Sequence, residues 1–170
     1  MCKKIMGVNP KNWSIIYNGI SKDCIDSIET DKTIEPGSFV ACSNTWRMKP
    51  NKRPLSIING FLKSDTGRHL YIIGQYQNEW KKKYKRYRIH FLGPKSPKKV
   101  IAIMKACDYQ IHLCHIDSCP NAVVEGLACG LNVLCTNLGG TKELVGPDGV
   151  ILKIEWLYCP ECGRKQINKI

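Results

Sequence analysis

Apolar and polar positions fall into two alternating kinds of segment along this chain. Short runs rich in apolar and β-branched residues stand at 39–43 (FVACS), 69–74 (HLYIIG), 88–93 (RIHFLG), 110–114 (QIHLC) and 132–136 (NVLCT). Runs of this length, bounded by Gly, Pro or Asn, predict strands. The stretches between them, at 55–63, 78–85, 98–106 and 121–129 with a short turn from Thr141, predict helices. Breakers sit at the joints, as in Gly93-Pro94 and Gly130-Leu131-Asn132. Strand and helix alternating at this pitch imply right-handed βαβ units. The expected fold is α/β: a Rossmann-like three-layer α/β/α domain with a mostly parallel sheet. Before Phe39 the pattern offers one strand candidate, from Trp13 to Tyr17. In such sheets ligands bind beyond the carboxyl ends of the strands, where the strand order reverses. The segments to inspect are therefore 43–52, 93–97, 115–121 and 136–141.

Composition narrows the setting. The 170 residues suit one domain, and 43% hydrophobic with 24% charged residues is ordinary globular usage, which argues against disorder. No apolar run approaches the roughly 20 residues of a membrane-spanning helix. The opening MCKKIMGVNPKNW has no apolar core and does not read as a secretory signal. The expected location is cytoplasmic, and the ten cysteines are expected as reduced thiols. Cys42, Cys107, Cys114, Cys129 and Cys135 lie in apolar surroundings, where Cys acts as a small hydrophobe.

The segment from His115 to Val145 carries the most chemistry. Pro120 and Asn121 open a helix of small apolar residues that a single carboxylate, Glu125, interrupts. Asp117 lies eight residues earlier in the loop feeding that helix. Two carboxylates flanking a helix start suit sugar and ribose hydroxyls, and the amides between them suit a phosphate. A surface Glu and a capping Asp explain the same spacing equally well.

The block resembles the signature of retaining glycosyltransferases of the GT-B fold, specifically glycosyltransferase family 4 and its glycogen-synthase-like relatives. The matching residues are Asp117 in place of the usual first Glu, Pro120-Asn121, Glu125, Ala128-Cys129-Gly130 and Gly139-Gly140-Thr141-Lys142-Glu143. Upstream, Tyr17-Asn18-Gly19-Ile20 resembles the element at the domain entrance. Trp46-Arg47 with Lys52 resembles the family's Gly-Arg…Lys pair, Trp46 standing where Gly is usual. The resemblance covers about residues 10–152 and implies a nucleotide diphosphate sugar as donor, with no metal cofactor required. It implies that Arg47 and Lys52 neutralise the leaving diphosphate and that Glu125 accepts from the ribose. Asp117, with the amides of Ser118, Cys119, Pro120-Asn121 and the Gly139-Gly140-Thr141 turn, would hold the donor sugar. Leu92 and Gly93 would receive the base. Complete members carry a second, acceptor-binding domain ahead of this one. Here 38 residues precede the first strand, so the expectation is the donor half of the enzyme, inactive alone. The expected divisions are a lead-in segment at 1–38 left from the interdomain region, the nucleotide-sugar domain at 39–154 and a divergent tail at 155–170. The acceptor would be a saccharide or lipid-linked acceptor, and another chain could supply the acceptor-binding domain. Without the resemblance, 47–53 reads as a solvated basic loop. A catalytically incomplete binding or interaction domain remains the alternative function.

Two further features stand apart. Between residues 81 and 99 the chain has nine cations and no acid: Lys81, Lys82, Lys83, Lys85, Arg86, Arg88, Lys95, Lys98 and Lys99. Tyr84, Tyr87 and Phe91 interleave with them. This reads as a solvated face, as a peripheral contact with the inner face of a membrane, or as a nucleic-acid surface. In the tail, Cys159 and Cys162 form one CxxC knuckle. A structural zinc needs four ligands, so it would need further donors such as Cys114 and His115. His69, His90 and His112 lie in predicted strands and read as satisfied structural residues.

Overall fold

The computed structural model describes residues 14, 16–42, 53–114, 117–147 and 149–152. In chain order these form α1 (Lys22–Asp26), β1 (Phe39–Cys42), α2 (Pro54–Ser64), β2 (Leu70–Ile73), α3 (Asn78–Lys83) and β3 (Ile89–Gly93). There follow α4 (Pro97–Ala106), β4 (Tyr109–His112), α5 (Asn121–Ala128), β5 (Asn132–Thr136), α6 (Thr141–Val145) and β6 (Val150–Leu152). The described strands make a six-stranded sheet in the order β3-β2-β1-β4-β5-β6. Every pairing in it is parallel. This is the Rossmann-like α/β fold expected from the strand and helix alternation.

The period of two along each strand feeds both faces of the sheet. From β2, Leu70 and Ile72 enter a cluster with Ile57 and Ile58 of α2 and Trp80 of α3. Tyr71 and Ile73 point the other way and meet Ile101 and Met104 of α4. Burial on both faces is why β2 reads as an unbroken apolar run. A smaller cluster joins Val123 of α5, Val133 and Cys135 of β5 and Val145 of α6. Pro54 and Pro97 stand in the first turns of α2 and α4, where a missing N–H costs nothing.

The two unexpected elements, α1 and β6, are short. α1 has five residues and buries only Ile25, so it leaves no helical stripe in the sequence. It is pinned across α4: Asp31 accepts an ion pair from Lys99 at 2.8 Å, and Lys105 Nζ donates to the carbonyls of Ile25 and Ile28. Of the 13–17 strand candidate, Ser14, Ile16 and Tyr17 are described and carry no strand. Trp13 and Ile15 lie outside the described residues.

The strand order reverses between β1 and β4, because the chain leaves β3 through α4 and returns on the far side of β1. The carboxyl ends of these two strands mark the ligand crevice of a doubly wound sheet.

Candidate functional site

β4 delivers the chain to this crevice. Gln110 is fully buried in it, its Nε2 donating to the Ala122 carbonyl at 2.7 Å and so seating α5 on the sheet. The fit is close: a Cβ at Gly126 would lie 1.9 Å from Gln110 Oε1. Thr136 Oγ1 donates to the Cys114 carbonyl at 2.6 Å, which ties the tips of β4 and β5 together.

The loop beyond β4 then packs, backbone to backbone, on the turn beyond β5. Gly140 N donates to the Asp117 carbonyl at 2.8 Å. A Cβ on Gly139 would come within 2.5 Å of that same carbonyl oxygen, and one on Gly140 within 2.1 Å of the Ser118 oxygen. Gly139 also has φ +70°, a left-handed conformation that glycine adopts without strain. The Gly139-Gly140 pair is therefore set by the close approach of two loops. Thr141 begins α6 with its hydroxyl buried and without a hydrogen-bond partner.

α5 starts at the same place. Its N-cap is Pro120, with no side-chain cap and no acid in the first turn, so its positive end is not neutralised from within the helix. Asn18 reaches it from the lead-in segment. Asn18 Nδ2 donates to the Cys119 carbonyl at 3.0 Å and to Asn121 Oδ1 at 2.7 Å. Asn18, Gly19, Ile20, Asn121, Val124 and Glu125 line a pocket of ≈ 420 Å³, within the size range of small-ligand sites. Glu125 is half-buried there, and burial raises its carboxyl above the ordinary carboxylate range. Next to Asn18 in the chain, Tyr17 donates to Glu143 at 3.1 Å; that hydrogen bond is the main cause of the raised Tyr17 phenol.

The structure thus gathers Asp117, Ser118, Cys119, Pro120, Asn121, Glu125, Gly139, Gly140 and Thr141 around the ends of β4 and β5. Leu92 and Gly93 end β3 on the same edge, with β2 between them and β1. Leu92 packs partly against the core and Gly93 has φ +72° with open space around it. Arg47, Lys52, His115, Cys159 and Cys162 lie outside the described residues.

Some readings need correction. Tyr84 and Phe91 are core residues, 5% and 9% exposed, so of the three aromatics within the basic stretch only Tyr87 faces solvent. Tyr84 and Phe91 are therefore not available as stacking platforms for nucleic-acid bases. Lys99 is engaged with Asp31. Arg53, which the sequence groups with a basic loop, is 1% exposed. Gln110, Gly126 and Asn18 were absent from the expected site; a Gln inside an apolar strand was the available signal for the first. Cys42, Cys107, Cys114 and Cys135 are buried and unbridged, and burial pushes the Cys107 thiol to about 12.

The fold and this cluster define a Rossmann-like domain of the sort from which GT-B glycosyltransferases are built. Residues 45–155 match the model of the family "Glycosyl transferases group 1", and the chain belongs to that family. It is 28% identical to an uncharacterized glycosyltransferase of Methanocaldococcus jannaschii over 86% of this chain and 41% of that protein. A glycosyltransferase from Rickettsia africae superposes with a TM-score of 0.71 at 15% identity, over 91% of this chain and 46% of that one. Anabaena HepE in complex with UDP-glucose superposes with 0.67 at 20% identity, over 82% and 43%. The chain spans less than half the length of each of these relatives. Among the described residues no helix is long and apolar enough to cross a membrane.

Proposed function

We propose that this chain binds a nucleotide diphosphate sugar at the carboxyl ends of β4 and β5 and presents it for retaining glycosyl transfer of the family 4 kind. One observation carries the reading: the Gly139-Gly140 turn lies against the Asp117–Ser118 backbone beside the uncapped start of α5, with Glu125 one turn further along. That gathers a carboxylate for sugar hydroxyls, amides for phosphate and a second carboxylate for the ribose within one edge. UDP-glucose bound to the similarly folded HepE is consistent with a uridine donor. Arg47 and Lys52 are assigned to the diphosphate. As the glycosyl group leaves for an acceptor hydroxyl, negative charge grows on the departing diphosphate, and fixed cations stabilise it without a metal ion. Asp117 is assigned to the donor sugar, Leu92 and Gly93 to the base.

The acceptor side of the cleft needs a second wall, which the single described sheet does not build. The 170-residue chain alone is accordingly proposed to bind donor without transferring it, a separate acceptor-binding domain being required. Calorimetry of the chain against nucleotide sugars and free nucleoside diphosphates tests the donor assignment. Binding of at least one pair of sugar nucleotide and diphosphate is expected. Absence of binding across a panel of uridine, guanosine, adenosine and thymidine donors overturns it.

A further inference from the structure

The histidines of the sheet are not alike. His69 Nδ1 and His90 Nε2 lie 2.8 Å apart and satisfy one another. His112, at the carboxyl end of β4, is 5% exposed, and its Nε2 makes no hydrogen bond. Asp117 Oδ2 stands 3.6 Å from that nitrogen, beyond hydrogen-bond reach. Cys114, two residues further along, is 2% exposed. One imidazole nitrogen of His112, the Cys114 sulfur and a carboxylate oxygen of Asp117 all lie within 4.8 Å of one another. A buried imidazole nitrogen that makes no hydrogen bond, beside a thiol and a carboxylate, brings together three side chains of the kinds that ligate metal ions.

We propose that His112, Cys114 and Asp117 bind a zinc-like divalent cation at the carboxyl end of β4. Imidazole and thiolate suit a borderline-soft ion, whereas magnesium and calcium prefer all-oxygen shells. Metal–ligand lengths of about 2.0 Å to nitrogen or oxygen and about 2.3 Å to sulfur place the ligands of a one-sulfur tetrahedral site roughly 3.3–3.5 Å apart. From separations of up to 4.8 Å, the three donors need to draw in by at most about 1.5 Å. The Asp117 backbone is held against the Gly139-Gly140 turn, so its contribution to that movement comes from rotation of the side chain. Three protein ligands leave the fourth position open. A bound ion holds Asp117 to β4, and on the donor reading above it takes this carboxylate from the sugar. That coupling alone rests on the donor assignment; the metal site does not.

The test is a cobalt(II) titration of the full chain, followed by its thiolate-to-cobalt charge-transfer and visible ligand-field bands. The Cys159→Ser/Cys162→Ser background removes the tail knuckle. One equivalent is expected to bind, with zinc displacing it. Cys114→Ser is expected to abolish the charge-transfer band, and Asp117→Asn to weaken binding at least about tenfold. Circular dichroism checks the fold of each variant. Should Cys114→Ser fail to fold, the loop variant Asp117→Asn carries the test, because it leaves the core untouched. Unchanged cobalt spectra and affinity in the folded variants, or no cobalt binding to the background chain, overturn the site. A second measurement reads nucleotide-sugar affinity with and without zinc. A loss with zinc supports the coupling, and equal affinities refute it. A chain that takes cobalt at these residues but binds no nucleotide sugar upholds the metal site and removes the donor assignment.

Discussion

Gly139 and Asp117 meet backbone to backbone, so closely that a Cβ on Gly139 would stand 2.5 Å from the Asp117 carbonyl oxygen and 2.9 Å from its nitrogen. The obstacle is main chain, so no rotamer relieves it. Gly139 also sits at φ +70°. Gly139→Ala is therefore expected to destabilise the chain by about 1–3 kcal/mol and to push the 117–119 loop outward. Denaturant unfolding reads the first effect. Donor calorimetry reads the second, as lost affinity for nucleotide sugar with the sheet preserved. A variant as stable and as tightly binding as the parent would show that the two loops part freely.

Glu125 gives a prediction in pH. Burial raises its carboxyl above the ordinary value. The native chain therefore holds this proton at pH values where the unfolded chain has released it. Protons bound in excess by the native state make stability fall as pH rises. The contribution is complete below the unfolded value of about 4.3 and is lost as pH climbs through the raised native value. Glu125→Gln removes the cost of the buried charge. It is expected to raise the melting temperature relative to the parent at pH 7, with the advantage vanishing near pH 4. On the ribose assignment the same variant binds nucleotide more weakly while pyrophosphate affinity scarcely changes. Parallel melting curves across pH would place this carboxyl in water instead.

Strand and helix alternation made the sheet legible because burial on both faces leaves unbroken apolar runs such as Leu70-Tyr71-Ile72-Ile73. β5 matches its expected span, and the helix limits shift by two residues or fewer. What escaped is what tertiary contact decides. Ile25 is the one buried residue of α1, whose other ties run to Lys99 and Lys105 of α4, and β6, with three exposed residues, is defined by pairing with β5. At the site, Gly139-Gly140 was legible as a motif, but its cause, two backbones in contact, was not. Tyr84 and Phe91 read as aromatics interleaved with cations for stacking on a nucleic acid, because a linear sequence does not say which side of a helix or strand faces the core. His112 looked satisfied because its unmet nitrogen depends on the position of Asp117, five residues away.

The diphosphate assignment is tested on residues 47 and 52. If Arg47 and Lys52 contact the donor phosphates, each charge-assisted contact contributes on the order of 1.5–3 kcal/mol. Arg47→Ala/Lys52→Ala is expected to weaken nucleoside diphosphate binding by that measure for each side chain, with the nucleoside alone little affected. Unchanged diphosphate affinity in a folded double variant would return 47–53 to a solvated basic loop.

Asn18 separates loop positioning from fold stability. Its amide bridges the Cys119 carbonyl and Asn121 Oδ1, and its backbone N–H lies 3.2 Å from the Cys119 sulfur. These contacts hold the segment just ahead of α5, where donor phosphate and sugar are assigned. All are exposed, so their loss changes global stability little, by about 0.5–1.5 kcal/mol at most. Loop order is another matter, because the amide supplies two donors to a turn that has no side-chain cap of its own. Asn18→Ala is expected to leave the unfolding midpoint nearly unchanged while weakening nucleotide-sugar binding several-fold. Hydrogen exchange at residues 118–122 should quicken in the same variant. Asn18→Asp replaces both donors by a second acceptor oxygen and puts a negative charge beside the assigned phosphate, so it should weaken binding more than Ala does. If Asp and Ala variants bind donor equally, the charge at this position does not reach the phosphate. Asn18 would then stand beside the ribose assigned to Glu125, with which it lines one pocket, and not beside the phosphate.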